Sequence, residues 1–272
     1  MPATAVLLLA ALGFGPAVWA DTSGNPGGPF YSSASIVNAA ANLSGPLAPN
    51  TIASIYGTGL AYGIKGIAPQ DLQGGALPYV LSNTGVRVWV NNIAAGIYFV
   101  SPNQVNFLVP AAIAPGPGQV VVTLDGHAGP AVTVTIAPAA PAFFQLDVHT
   151  VIGTHADGST ITHDAPAQPG ETIVLYATGL GQTMPPVSYG EIATKATPVQ
   201  NPGSVVVLVD GAAVDPASVS YAGLAPGFAG LYQVNLQVPA SAGADPEIRI
   251  GMAAFTSPPN LILPVQPAAP LQ

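Results

Sequence analysis

The densest group of residues able to hold a metal or move a proton is Asp147, His149, His155, Asp157, His163 and Asp164, which gathers three of the four histidines into 18 residues. Imidazole and carboxylate are ligands for zinc and similar ions, and together they serve general acid–base catalysis. Spacing argues against both uses. On an extended strand His149 and His155 share a face, but six residues of strand rise set them roughly 20 Å apart. A reversal at Ala156-Asp157-Gly158 would return His163 to the face of His155 without bringing it near. The stretch is expected to be an exposed polar hairpin, with no metal and no cofactor.

Other reactive chemistry is thinly provided. There is no cysteine and no G-x-S-x-G nucleophile elbow. Glycoside hydrolysis needs two carboxyl groups facing across a cleft, and the available glutamates are Glu171, Glu191 and Glu247. Glu171 sits in a turn before a strand, where it is most simply solvated. No D-x-D-x-D-G calcium loop is present. The chain is therefore read as a non-enzyme, with an extracellular polysaccharide hydrolase as the alternative.

Two groups of residues are candidates for binding. In Val86-Arg87-Val88-Trp89-Val90 the valines share one face of a strand and Arg87 and Trp89 the other, so the indole could offer a flat ring to a sugar or a peptide. The second is the apolar loop carrying Leu224, Phe228, Leu231 and Tyr232, longer than its counterpart between Tyr98 and Gln104. Exposed, it is an interaction patch; buried, it is packing between two domains.

The elements that must position these residues are announced by a repeat. Residues 49–60 and 169–180 carry Pro, Tyr and Thr-Gly-Leu at matching places, 120 residues apart, and Gln104-Val105-Asn106 returns as Gln233-Val234-Asn235. Short runs of Val, Ile and Thr alternate with turn signals, including Asp125-Gly126 and Asp210-Gly211, and no helical period is visible. Gly and Pro number 31 and 30, against 16 charged residues in all. The fold class is all-β: two tandem immunoglobulin-like β-sandwiches, over residues 34–138 and 139–268, joined by a stiff proline linker at 137–141.

Residues 1–20 read as a signal peptide cleaved after Ala20, followed by a flexible leader at 21–33. Without cysteines, an exported chain depends on core burial for stability, and two domains of this length can supply it. The net charge of −8, with only the scattered Lys65, Arg87, Lys195 and Arg249 as basic residues, makes nucleic acid and anionic membrane surfaces poor candidates as partners.

The Thr-Gly-Leu strand openings resemble IPT/TIG domains, immunoglobulin-like folds named for plexins and transcription factors. Ile36-Val37-Asn38-Ala39-Ala40, Tyr98-Phe99-Val100-Ser101-Pro102-Asn103-Gln104 and the stretch from Ala222 to Asn235 resemble an uncharacterised family of secreted acidobacterial proteins. That resemblance implies a fold and an exported location and assigns no activity. The expectation is an exported, non-catalytic binding or adhesion protein at the cell surface or outside the cell. Its partner would be an extracellular glycan or protein, with no membrane insertion after signal cleavage and with self-association allowed. A further alternative is a structural subunit that assembles by strand addition through residues 21–40.

Overall fold

The computed structural model of the chain describes residues 28–266; the expected signal peptide and residues 21–27 of the leader lie outside the described residues. The strands of the first half are β1 (Ile36–Asn38), β2 (Leu43–Ser44), β3 (Ile52–Tyr56), β4 (Lys65–Gly66), β5 (Val86–Val90) and β6 (Ile93–Ala94), then β7 (Gly96–Ser101), β8 (Gln104–Leu108), β9 (Gly116–Leu124), β10 (His127–Ala128) and β11 (Val132–Ile136). They form one sheet in the order β2-β1-β3-β8-β7-β4 and a second in the order β10-β9-β5-β6, with β11 also on β9.

The second half repeats the plan. Its strands are β12 (Ala142–Phe143), β13 (Gly153–Thr154), β14 (Thr172–Thr178), β15 (Thr197–Pro198) and β16 (Val205–Val209), then β17 (Ala212–Ala213), β18 (Val219–Leu224), β19 (Tyr232–Gln237), β20 (Ile248–Met252) and β21 (Phe255–Thr256). One sheet runs β12-β14-β19-β18-β15, with β13 also on β14, and the other β17-β16-β20-β21. The molecule is two tandem immunoglobulin-like β-sandwiches.

The local chemistry explains the elements. Asn91 and Asn92, Asp125 and Gly126, and Asp210 and Gly211 all adopt positive φ, the conformation that a two-residue hairpin turn requires and that Asn, Asp and Gly tolerate. Strand alternation puts Val86, Val88 and Val90 inward, where they are fully buried, opposite Leu124, Val122 and Val120 of β9. The duplicated Gln-Val-Asn has a matching role in both halves. The Gln104 amide donates to Asn106 Oδ1 at 2.8 Å, and Gln233 donates to Asn235 Oδ1 at 3.1 Å, each along one face of a strand.

Each sandwich has its own apolar core, and a third apolar cluster lies between them. It joins Ile52, Leu77, Tyr98 and Leu108 of the first to Phe144, Ala229 and Leu231 of the second. The proline-rich segment at 137–141 is held at three points: Ala137 N donates to Leu47 O, Ala140 N donates to Gly179 O, and Asn38 Nδ2 donates to Ala140 O.

Two expectations need correction. The Gly/Pro-rich stretch read as a flexible leader is packed from residue 28: Phe30 bridges Thr58, and Tyr31 is buried with its hydroxyl donating to Pro130 O at 2.6 Å and accepting from Val122 N at 2.7 Å. Burial pushes the Tyr31 phenol up to about 12, so it stays a neutral donor across the working pH range. The reason is visible in the repeat. Phe30 meets Thr58 as Ala142 meets Thr178, and Tyr31 fills the first core as Phe143 fills the second. Of the stretch 21–40 expected to offer strand addition, β1 at residues 36–38 is already paired on both sides, with β2 and β3.

Candidate binding surfaces

The outer face of the β10-β9-β5-β6 sheet carries the first pair of candidates. Arg87 is exposed and Trp89 half-exposed, both pointing away from the core that Val86, Val88 and Val90 fill. Register sets Arg87 opposite Thr123, and Trp89 between Val121 and Ala94, so the indole sits in a shallow row of small side chains. Nearby Gln119 and Thr133, also paired across strands, are exposed. The result is a sheet face that presents one partly exposed aromatic ring and one permanent cation, groups suited to stacking against a ring or a planar group.

The second set is placed elsewhere. Leu224, Leu231 and Tyr232 are buried, and Phe228 is half-buried against the inter-sandwich cluster. The apolar loop at 225–231 is therefore packing between the domains, and these four residues do not form an open patch. Backbone geometry makes the packing tight. Gly230 has φ near +65°, and a Cβ there would fall 2.3 Å from a Leu108 methyl and 2.7 Å from Asn50 O.

Polar contacts lock the same surface. Ile52 N donates to Thr178 Oγ1, which donates to Gly230 O, both at 2.9 Å and all buried. Tyr98 accepts from Ala229 N at 2.9 Å and donates to Ala229 O. Tyr189 accepts from Gly96 N at 2.8 Å and donates to Leu108 O at 2.6 Å. Desolvation raises both phenols, which keeps the donors protonated. Sequence reading missed Tyr98 and Tyr189 as joints. The available signal was two tyrosine hydroxyls, one on β7 and one in a loop, in a chain with few other polar groups.

The polar stretch at 147–164 does not converge. The chain reverses at 156–158, with His155 N donating to Ser159 O. His155 Nδ1 lies 2.6 Å from Glu171 Oε1 and its Nε2 lies 3.2 Å from Ala165 O. Burial opposes charging this imidazole, but the Glu171 hydrogen bond and the Ala165 carbonyl outweigh it and raise its pKa. His163 stands 3.7 Å from Asp245, and Asp147 caps the turn by accepting from His149 N and Thr150 N. Among the described residues no three of His, Asp and Glu come together as a metal site.

Each of the three glutamates accepts a backbone hydrogen bond. Glu171 holds His155 and the Gln168 backbone, Glu247 Oε1 accepts from Asn260 N, and Glu191 Oε2 accepts from Ser188 N. In the first sandwich Asp71 is held down to about 2 by the Ser82 hydroxyl and the Lys65 ammonium.

Residues 37–141 match the IPT/TIG domain model, covering β1 through the linker. No curated protein sequence matches the chain. Similar solved structures include SGBP-B of the mixed-linkage glucan utilization locus of Bacteroides ovatus in complex with a mixed-linkage heptasaccharide (10% identity, 91% of this chain and 47% of that one, TM-score 0.34). Others are the full extracellular region of plexin A4 (10%, 93% and 17%, 0.29) and γ-CGTase from alkalophilic Bacillus clarkii (11%, 90% and 26%, 0.29). The chain spans less than half the length of each of these three. Likeness at this level carries neither a ligand nor an activity.

Proposed function

We propose that the chain is an exported, non-catalytic binding or adhesion protein, and that it meets an extracellular glycan or protein through the Arg87–Trp89 platform. The observation that carries the reading is a half-exposed tryptophan beside an exposed arginine on the outer face of a sheet. In a chain with only four basic residues, an arginine placed next to an aromatic ring on such a face is poorly explained by folding needs. Aromatic and arginine side chains are the residues that most often dominate binding energy at interfaces. The engagement of the glutamates in turns and caps supports the non-catalytic part. Among the described residues no helix is long and apolar enough to cross a membrane.

The test is a glycan array and a pull-down from culture medium with the exported chain, repeated with Trp89→Ala and Arg87→Ala. Capture should fall by tenfold or more in Trp89→Ala, on the scale of a lost aromatic anchor, with the thermal midpoint nearly unchanged. Absence of any captured partner, or capture unaffected by both variants, would reject the platform. N-terminal sequencing of the natural protein tests export: Asp21 should be the first residue, and recovery of Met1 would overturn that part.

A further inference from the structure

A groove runs between the two sandwiches on the side of the β1–β2 hairpin, built from two adjoining cavities of about 300 and 170 Å³ that share Ala41, Leu43, Ala142 and Pro258. One wall is the hairpin of the first sandwich, the other is the segment around Pro258 and Asn260 in the second, and the linker forms part of the floor. Because the Thr178, Tyr98 and Tyr189 contacts fix one sandwich on the other, the width of the groove is set before any ligand arrives. Clefts between domains are where small-molecule sites concentrate.

Its chemistry is uniform. Neither cavity is lined by Lys, Arg, Asp or Glu. Leu43 and Val148 stand unusually open, at 53% and 78% exposure, beside Pro258 and Pro259. Between these apolar surfaces lie uncharged polar groups. Asn42 and Asn260 face in from opposite walls, both in left-handed backbone. Asn42 Oδ1 accepts from the Tyr56 hydroxyl at 3.0 Å, which leaves its Nδ2 to donate. The side chain of Asn260 and the ring of His149 make no hydrogen bond among the described residues, and the Gln145 amide makes one long contact, 3.5 Å to Ala41 O.

We propose that this groove is a binding site for a neutral saccharide. A sugar hydroxyl both donates and accepts, which matches amide and imidazole groups that can do either, and the C–H face of a pyranose suits Leu43, Val148 and the prolines. No Lys or Arg lines the groove to pair with an anionic ligand. An extended peptide is disfavoured because the sheet edges beside the groove, β2 and β21, are two residues long, the kind of blunted edge that resists strand addition. The site is separate from the Trp89 platform and does not depend on it.

Calorimetry of the exported chain with neutral tetra- to hexasaccharides of glucose, xylose, mannose and galactose would test this, alongside oligogalacturonate and an uncharged unstructured peptide. Asn260→Gly and Asn42→Gly remove one amide each at positions where glycine keeps the backbone conformation. Each should weaken the best neutral sugar about fivefold, the scale of one hydrogen bond, and His149→Ala should do the same, whereas Trp89→Ala should leave it intact. Thermal midpoints of the glycine variants check that the fold persists. The proposal is overturned if no neutral sugar in the panel binds, if oligogalacturonate or the peptide binds better, or if binding survives all three groove variants.

Discussion

The corner at Thr58-Gly59-Leu60 and the corner at Thr178-Gly179-Leu180 are the same piece of sequence put to two uses. In each, the chain entering the sandwich runs across the glycine: a Cβ on Gly59 would lie 3.2 Å from Gly28 O, and one on Gly179 only 2.0 Å from Ala140 O. In each, the leucine is buried in the core. The difference lies in what surrounds the corner. β7 and β8 are joined by a tight turn at 102–103, whereas β18 and β19 are joined by the loop at 225–231, which reaches the first sandwich. Thr178 is buried and bridges the domains, whereas Thr58 is half-exposed and pairs through its backbone with Phe30. The duplicated scaffold is joined into a pair by the inserted loop and the buried Thr178 hydroxyl, together with the Tyr98 and Tyr189 contacts.

The comparison is broken most severely at Gly230. Gly230→Val would force a β-branched residue into positive φ and drive its methyls into Leu108 and Asn50, costing about 3 kcal/mol or more. Gly59→Ala, on the corner without the loop, should cost about 1–2 kcal/mol from backbone strain. Equal losses in chemical denaturation would show that the loop does not hold the domains together.

Thr178→Val keeps the shape and removes the bridge. It leaves the buried Ile52 N–H and Gly230 carbonyl without their Thr178 partner and should cost about 2 kcal/mol, against less than about 0.5 kcal/mol for Thr58→Val. A similar small cost at both sites would return Thr178 to the role of its twin. Phe228→Ser probes the rim of the same joint. The ring is only half-buried, so a loss near 1.5 kcal/mol is expected, below the range for a fully buried phenylalanine, and capture of a partner should not change. Unchanged stability with lost capture would make the loop a recognition surface after all.

How much of this was legible in sequence follows from the range of each interaction. Alternation in Val86-Arg87-Val88-Trp89-Val90 fixed which side chains leave the core, because strand period is local. The turns at Asp125-Gly126 and Asp210-Gly211 were legible for the same reason. The docking of residues 28–31 was not, since a Gly/Pro-rich segment has no period of its own and is ordered by Thr58 and the Pro130 carbonyl, far away in the chain. The fate of the apolar loop was ambiguous for a related reason: composition told that Leu224, Leu231 and Tyr232 must be covered, but not that the cover is the neighbouring sandwich. The groove was invisible, because Asn42 and Asn260 meet only after the two domains have docked.

The smallest expected effect contrasts the titratable contacts of the two sandwiches, which respond to opposite ends of the pH scale. In the second, His155 has its pKa raised in the folded state, so its pairing with Glu171 stabilises fully below the unfolded value near 6.5 and is lost as pH rises through the folded value. The pair is partly solvated, which limits its worth to less than about 1 kcal/mol. In the first, the Asp71 carboxyl is depressed to about 2 by Ser82 and Lys65, so its contribution is present above the usual carboxylate range near 3.8 and is lost as pH falls toward 2. Thermal midpoints of His155→Gln and Asp71→Asn across pH therefore should diverge from the native chain in opposite windows. The His155 variant should be the less stable at about pH 5.5 and should match the native chain in mild alkali, while the Asp71 variant should differ at neutral pH and match it in strong acid. A His155 effect that grows with pH would mean that the imidazole is held neutral in the folded protein. The hydrogen bond to Glu171 would then be that of a neutral ring, and the two sandwiches would no longer differ in the sign of their pH response.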